Sequence, residues 1–331
     1  MDTLVISAAL VRELLSPEDC IEALEVALTA AARGDVVQPL RAVAWRPDAQ
    51  GAVAGMPGYI GEPAVLGAKV IAVFPDNRQR GKPSHQGIVV LHDPTDGRLM
   101  AIIDAGEITA IRTAAASALA TRLLAREDAS VLALLGTGVQ AKEHLRALRT
   151  VRPIREVRVW SRTPDHAQEF ARRAEEVEGL RVLAVSTAER AVRGAEIVCT
   201  LTAARSPVLR GEWLMQGAHV NAVGASTRAF RELDAQAVAR SRLFADSAAS
   251  LRAESADYLG ALEEGAIDGA HLIGELEELV TGSVPGRTDP AQITLFKSLG
   301  LALEDLAAAQ RVFDASVAQG RGVHVEIGAP H

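Results

Sequence analysis

Short apolar runs alternate with longer amphipathic stretches through the middle of the chain. Val131–Leu135 precedes Gln140–Thr150, Glu156–Trp160 precedes Pro164–Glu178, and Arg181–Val185 precedes a short helical stretch near Thr187–Arg193. Glu196–Leu201, His219–Val223 and Arg242–Ala245 continue the apolar runs. Strands alternating with helices predict an α/β, parallel, doubly wound sheet. The first hundred residues have another rhythm. Ser16-Pro17-Glu18-Asp19 opens a helix, with an N-cap and proline at the first position, and Gly34 stops it. Leu40–Trp45, Gly51–Met56, Ala64–Val73 and Gly87–His92 are short alternating segments separated by Pro, Gly and Asp, the pattern of an antiparallel sheet. Asp93-Pro94-Thr95-Asp96-Gly97 predicts a tight turn and Leu99–Asp104 the returning strand. An alanine-rich helix is expected over Thr109–Arg126, a long helix or helix pair over Pro290–Gln319, and a last strand over Val323–Ile327. If that strand rejoins the N-terminal sheet, one domain is built from both chain ends.

Composition narrows the class. A chain of 331 residues suits two domains, and with 48% hydrophobic but only 3% aromatic residues the cores are aliphatic. Net charge is −7, with Lys and Arg scattered singly, so no basic stripe offers itself to nucleic acid. Cys20 and Cys199 sit in apolar surroundings without partner ligands and read as buried thiols of a reducing compartment. No charge-free run of about 18 apolar residues suggests a membrane span, and the N-terminus lacks a basic region followed by an apolar block. A cytoplasmic location without a membrane partner is expected. No metal-ligand cluster, Ser-His-Asp ordering or His-Glu-x-x-His pattern occurs, so no metal is expected.

The chemistry concentrates in two places. Val131–Leu135 runs into Gly136-Thr137-Gly138-Val139-Gln140-Ala141, a Gly-x-Gly-x-x-Ala turn between a buried strand and an amphipathic helix. Gly136 allows the tight turn, Gly138 the close approach of a pyrophosphate, and Ala141 the packing of helix on strand. The chain is read as a dinucleotide-dependent enzyme. At the end of the next strand an NAD enzyme would place an acid for the ribose 2′-hydroxyl. Here stand Ser161-Arg162-Thr163, a guanidinium between hydroxyls that suits a 2′-phosphate. NADP(H) is therefore expected, with NAD(H) as the alternative.

Arg41, Lys69, Ser84-His85 and Arg112 stand out in and beside the N-terminal sheet. Lys69 lies in an apolar strand, where a lone lysine is costly unless it is paired or faces a cleft. Arg112 is expected at the mouth of the strand–turn–helix unit. Singly each reads equally as a structural charge, and together they form a clamp for a carboxylate. His219, in Gly217-Ala218-His219-Val220-Asn221, reads as a structural residue at the start of a strand.

Met56-Pro57, Gly67-Ala68-Lys69-Val70, Pro83-Ser84-His85-Gln86, Ile108–Ala115 around Arg112, the glycine turn, Trp160–Thr163, Asn221–Ser226, Arg231–Asp234 and Thr294–Ser298 follow one another along nearly the whole chain. In this the sequence resembles the ornithine cyclodeaminase/mu-crystallin family. The resemblance implies a homodimer with a Rossmann domain (114–301) inserted into an α+β substrate-binding and dimerisation domain (1–113 with 302–331). It implies that Arg41, Lys69 and Arg112 hold the carboxylate of an amino or imino acid, with Ser84 and His85 nearby and Lys69 and Arg112 as catalytic residues. The cofactor residues expected are Arg112, Thr113, Gly136, Thr137, Gly138, Val139, Gln140, Ser161, Arg162, Thr163, Thr200, Val223, Gly224, Ser226 and Ser298. Cyclodeaminases of the family carry an aspartate where this chain has Ser226, which weighs against ornithine cyclodeamination. The expected activity is NADPH-dependent reduction of a small cyclic ketimine carboxylate. The alternatives are ornithine cyclodeaminase or alanine dehydrogenase activity, or a non-catalytic crystallin-like carrier.

Overall fold

The computed structural model describes residues 2–48, 50–74, 77 and 81–327. The chain divides into two compact units, residues 1–113 with 301–331 and residues 114–300.

The first unit opens with β1 (Asp2–Ile6), α1 (Ala8–Leu14) and α2 (Pro17–Ala32). Ser16 caps α2 by accepting from the Asp19 amide at 3.0 Å, as its sequence predicts, whereas β1 and α1 carried no sequence signal strong enough to name. The antiparallel strands are β2 (Val36–Val37), β3 (Ala42–Trp45), β4 (Ala52–Ile60), β5 (Val65–Val73), β6 (His85–His92) and β7 (Leu99–Asp104). Helix α3 spans Ala105–Leu124 and starts four residues before the expected Thr109. The reason is local: Asp104 ends β7 and at once accepts the Glu107 amide at 2.8 Å, so strand and helix share a capping residue and no loop intervenes.

The second unit holds β8 (Val131–Leu135), α4 (Val139–Val151), β9 (Glu156–Trp160), α5 (Pro164–Glu178), β10 (Val182–Ala184), α6 (Ala188–Val192), β11 (Ile197–Thr200) and β12 (His219–Ala222). Then come α7 (Ala235–Ala239), β13 (Ser241–Ala245), α8 (Ala248–Glu254), α9 (Ala256–Glu263), β14 (Leu272–Glu275), α10 (Leu276–Thr281) and β15 (Ile293–Lys297). The strands form one parallel sheet in the order β10-β9-β8-β11-β12-β15-β13-β14. Strand order reverses beside β8, the switch point at which doubly wound sheets bind ligands. The expected helix from Pro290 is corrected here. Ile293–Lys297 is a buried strand between β12 and β13, and Gly300, at φ +87°, separates it from the helix that follows. A five-residue apolar run reads alike as buried strand or helix segment, and the parallel partners decide.

The last elements, α11 (Ala302–Ala318) and β16 (Val323–Glu326), return to the first unit. β16 pairs antiparallel with β1, completing the order β16-β1-β7-β6-β5-β4-β2, with β3 also on β4. Helices α1, α2 and α11 pack together on one side of this sheet. Among the described residues no helix is long and apolar enough to cross a membrane.

Candidate active site

Each unit carries a polar constellation among its described residues. In the first, register sets Met56 opposite Lys69, Lys69 opposite Val89 and Val89 opposite Ile103, so one row across four strands shares a face. Met56, Val89 and Ile103 are buried, and Lys69 with them. Ala42 pairs with Gly55, which brings Arg41 alongside Met56, and the Arg41 charge acts on the Lys69 ammonium.

Helix α11 lies over this face because two strand positions lack a side chain. A Cβ on Gly58 would stand 3.0 Å from Leu306 Cδ1, and one on Gly67 2.8 Å from Leu306 Cδ2. The close seat delivers the first turn of α11 to the row. Lys69 Nζ pairs with Asp305, Arg112 Nε donates to Asp305 Oδ1 at 2.9 Å, and Arg112 Nη1 donates to Glu304 Oε2 at 2.6 Å. Glu304 Oε2 also accepts the Leu301 amide at 3.3 Å, tying the helix start to the same cluster. Both carboxylates sit in the first turn of α11, where the helix dipole favours negative charge.

All four charged residues are at most 5% exposed. Burial lowers the Lys69 ammonium to about 8, against the opposing pull of Asp305. Burial alone would raise the Asp305 carboxyl, but Arg112 and Lys69 hold it below the usual range. Two cations and two carboxylates compensate one another, and Arg41 adds a further positive charge. Ser84 Oγ and His85 Nδ1 lie 3.0 Å apart at the start of β6. His85 shares the face of Val89 but stands four residues, about 13 Å, along the strand. Arg112 and Thr113 are the last residues of the N-terminal segment of the first unit.

The second constellation lies at the carboxyl ends of the parallel strands. Gly136 follows β8 at φ +126°, and a Cβ there would stand 2.7 Å from Leu201 O, so only glycine fits. Gly138 is the N-cap of α4, provides no side-chain cap, and a Cβ on it would meet nothing within 4 Å. The first turn of α4 holds no acidic residue. A helix N-terminus with open space before it and no competing carboxylate fits a dinucleotide pyrophosphate. Ala141 is fully buried, as the helix packing needs, and Val139 is exposed beside Gly138, with Thr137 and Gln140 in the same turn.

Ser161, Arg162 and Thr163 follow β9, where Ser161 Oγ accepts the Thr163 amide at 3.2 Å. Arg162 is exposed and has no ion-pair partner among the described residues. Thr200 ends β11, Val223, Gly224 and Ser226 follow β12, and Ser298 follows β15, where its amide donates to Ala222 O at 3.0 Å. The sequence-expected residues of this unit thus gather at the carboxyl ends of five strands.

Two pairs of buried charged side chains escaped sequence reasoning. Glu304-Asp305 stand as adjacent acids inside Leu301-Ala302-Leu303 and Leu306–Ala309. The cost argument that singled out Lys69 applies to them equally. Glu232 and Lys297 are buried as well, at 0% and 1% exposure. His219 is buried with Nδ1 on Thr294 Oγ1 and Nε2 on Asn221 Oδ1, and burial depresses it to about 3, a neutral structural histidine.

The model of the ornithine cyclodeaminase/mu-crystallin family matches residues 1–320. The mouse ketimine reductase mu-crystallin is 40% identical over 281 residues, 85% of this chain and 86% of its own. The Δ1-pyrroline-2-carboxylate reductase of Bacillus cereus is 34% identical over 324 residues, 98% of this chain and 99% of its own. Among solved structures, the Δ1-pyrroline-2-carboxylate reductase of Thermococcus litoralis, in complex with NADH and L-proline, superposes with a TM-score of 0.95 at 36% identity. That match covers 98% of this chain and 100% of the other.

Proposed function

The chain belongs to the ornithine cyclodeaminase/mu-crystallin family, and on that premise we propose that it is an NADPH-dependent reductase of a small cyclic ketimine carboxylate. The substrate would be Δ1-pyrroline-2-carboxylate or Δ1-piperideine-2-carboxylate, and the product L-proline or L-pipecolate. The observation that carries this reading is the buried Lys69, lowered to about 8 beside Arg112. At neutral pH it holds a proton that it can give up with little penalty, as a general acid should. Arg112 and Arg41 bind the substrate carboxylate, and Lys69 protonates the imine nitrogen or holds it protonated. Asp305 keeps the ammonium in place and compensates its charge. When bound, the reduced nicotinamide supplies the hydride that adds to C2. The C=N π pair becomes the nitrogen lone pair or N–H bond, and the amine leaves with the proton. Arg162 favours NADPH by pairing with the 2′-phosphate, although the Thermococcus relative was solved with NADH.

A homodimer is part of the proposal. An archaeal alanine dehydrogenase dimer with bound NAD superposes with a TM-score of 0.93 at 29% identity, covering 99% of this chain and 100% of that one. The sheet of the first unit exposes Val53, Val70 and Ile88 on the face away from its helices. A cytoplasmic location is proposed with it, in keeping with two free thiols.

The test is nicotinamide oxidation by purified protein, with NADPH and NADH, on both cyclic imines, on pyruvate with ammonium, and with ornithine in reverse. Rapid ammonium-independent oxidation of NADPH by a cyclic imine is the expected result. Activity only with pyruvate and ammonium, or ammonia release from ornithine, would replace this reading.

A further inference from the structure

Glu232 is fully buried in the second unit, outside every residue assigned above to substrate or cofactor, yet it makes an unusual set of contacts. Its Oε2 accepts Thr200 Oγ1 at 2.8 Å and the Ala225 amide at 3.2 Å. Its Oε1 accepts the Thr202 amide at 2.6 Å and Thr202 Oγ1 at 2.7 Å. One carboxylate therefore ties the segment after β11 to the segment after β12. These segments border the glycine turn, since Leu201 O is the atom that leaves no room for a side chain at Gly136. Gly224 is under the same constraint from Thr202 and from Glu232 itself.

The backbone that carries this side chain is held from behind. Asp257 Oδ1, on α9, accepts the Glu232 and Leu233 amides at 2.8 and 2.9 Å, while its Oδ2 pairs with Lys297 Nζ of β15 at 2.9 Å. Arg231, the neighbouring cation, turns away to Leu233 O and Glu264.

We infer that Glu232 is a positioning residue for the cofactor: its ionised carboxylate, by accepting four hydrogen bonds, fixes the two strand-end segments against which the nicotinamide half of the dinucleotide must lie. The inference rests on the proposed nicotinamide cofactor. A carboxylate can accept all four donors at once, whereas an amide or a protonated acid carries hydrogens of its own and must displace at least one. Burial raises the Glu232 carboxyl to about 6, with Lys297 opposing and Asp257 reinforcing the rise. The hold therefore weakens as pH falls through that value.

The experiment is NADPH binding and steady-state kinetics of the full-length wild type and Glu232→Gln across pH 5.5 to 8. The variant should bind NADPH roughly tenfold more weakly at pH 7.5, the effect of losing a charged hydrogen-bond acceptor. The KM for NADPH should carry most of the loss, and kcat should change little. The ratio of wild-type to variant affinity should shrink toward one below pH 6. Titration of the 2′-phosphate cancels in that ratio. Thr202→Val, which removes one donor, should weaken binding in the same sense by a smaller factor and serves if Glu232→Gln does not fold. Equal affinity of the variants and wild type, or a ratio that stays constant with pH, overturns the inference. Wild type that binds neither NADPH nor NADH instead removes the cofactor reading on which it stands.

Discussion

Lys69 is the residue on which the proposed chemistry turns, because it unites a buried ammonium, a carboxylate partner and a lowered proton affinity. Lys69→Met keeps the length of the side chain and removes the proton. Turnover on the cyclic imine should fall by about 100-fold or more, the usual contribution of a general acid, while NADPH still binds by fluorescence titration. Turnover near the wild-type rate would deny Lys69 a chemical role. The sign of the pH effect follows from the same group. Lys69 is protonated below about 8, so imine reduction should be level there and decline above it, and the reverse oxidation, which needs the free amine, should rise over the same interval. A pH profile of kcat/KM in both directions measures this, and coincident profiles would contradict it. Arg162 offers an independent test, since it is exposed and has no ion-pair partner among the described residues. Arg162→Glu should raise the KM for NADPH roughly 10- to 100-fold and leave that for NADH nearly unchanged. An equal change for both cofactors would mean that the side chain does not read the 2′-phosphate.

At the scale of elements, the cluster exists because α11 can approach β4 and β5 over Gly58 and Gly67. Gly67→Ala would drive a methyl group against Val90 O and Leu306. Overpacking of this kind costs about 2 kcal/mol, so the melting temperature should fall by several degrees. Because Asp305 adjoins Leu306, the KM for the imino acid should rise with it. A variant with unchanged melting and unchanged KM would show that the seat tolerates the methyl group. Sequence alone made much of this frame legible. The glycine turn, the alternating strands β4 to β6 and the Ser16 cap each follow from a local constraint that residue type expresses directly. The seat of α11 does not, because it depends on which glycines share a face with Leu306, a matter of register. Glu304 and Asp305 were hidden for a related reason: in a helix that looks uniformly apolar, adjacent acids read as a solvent edge until Lys69 and Arg112 are seen opposite them. The misread of Ile293–Lys297 is different in kind, since a short run buried on both faces has no periodicity to disclose.

At the scale of the whole molecule, the sheet of the first unit poses a question of solvation. An antiparallel sheet with one face on a core normally turns polar side chains to water on the other. Here the outward positions of β4, β5 and β6 include Val53, Val70 and Ile88, exposed by 44, 43 and 40%. Register sets Val70 between Gly55 and Ile88, so these side chains form a continuous apolar strip and not scattered single exposures. Contiguous apolar surface of this kind marks an association site, and a second copy of the chain can cover it symmetrically. The wild type should therefore sediment at twice the 34.9 kDa chain mass. Val53→Asp combined with Val70→Asp places a carboxylate on each of two adjacent strands, and bringing two such faces together would bury four unpaired charges. The double variant should sediment as a monomer. Both substitutions lie on the face away from Lys69, so its near-ultraviolet circular dichroism and NADPH binding report whether the fold has survived. A wild-type monomer, or a folded variant that remains dimeric, would place the association surface elsewhere or remove the need for one.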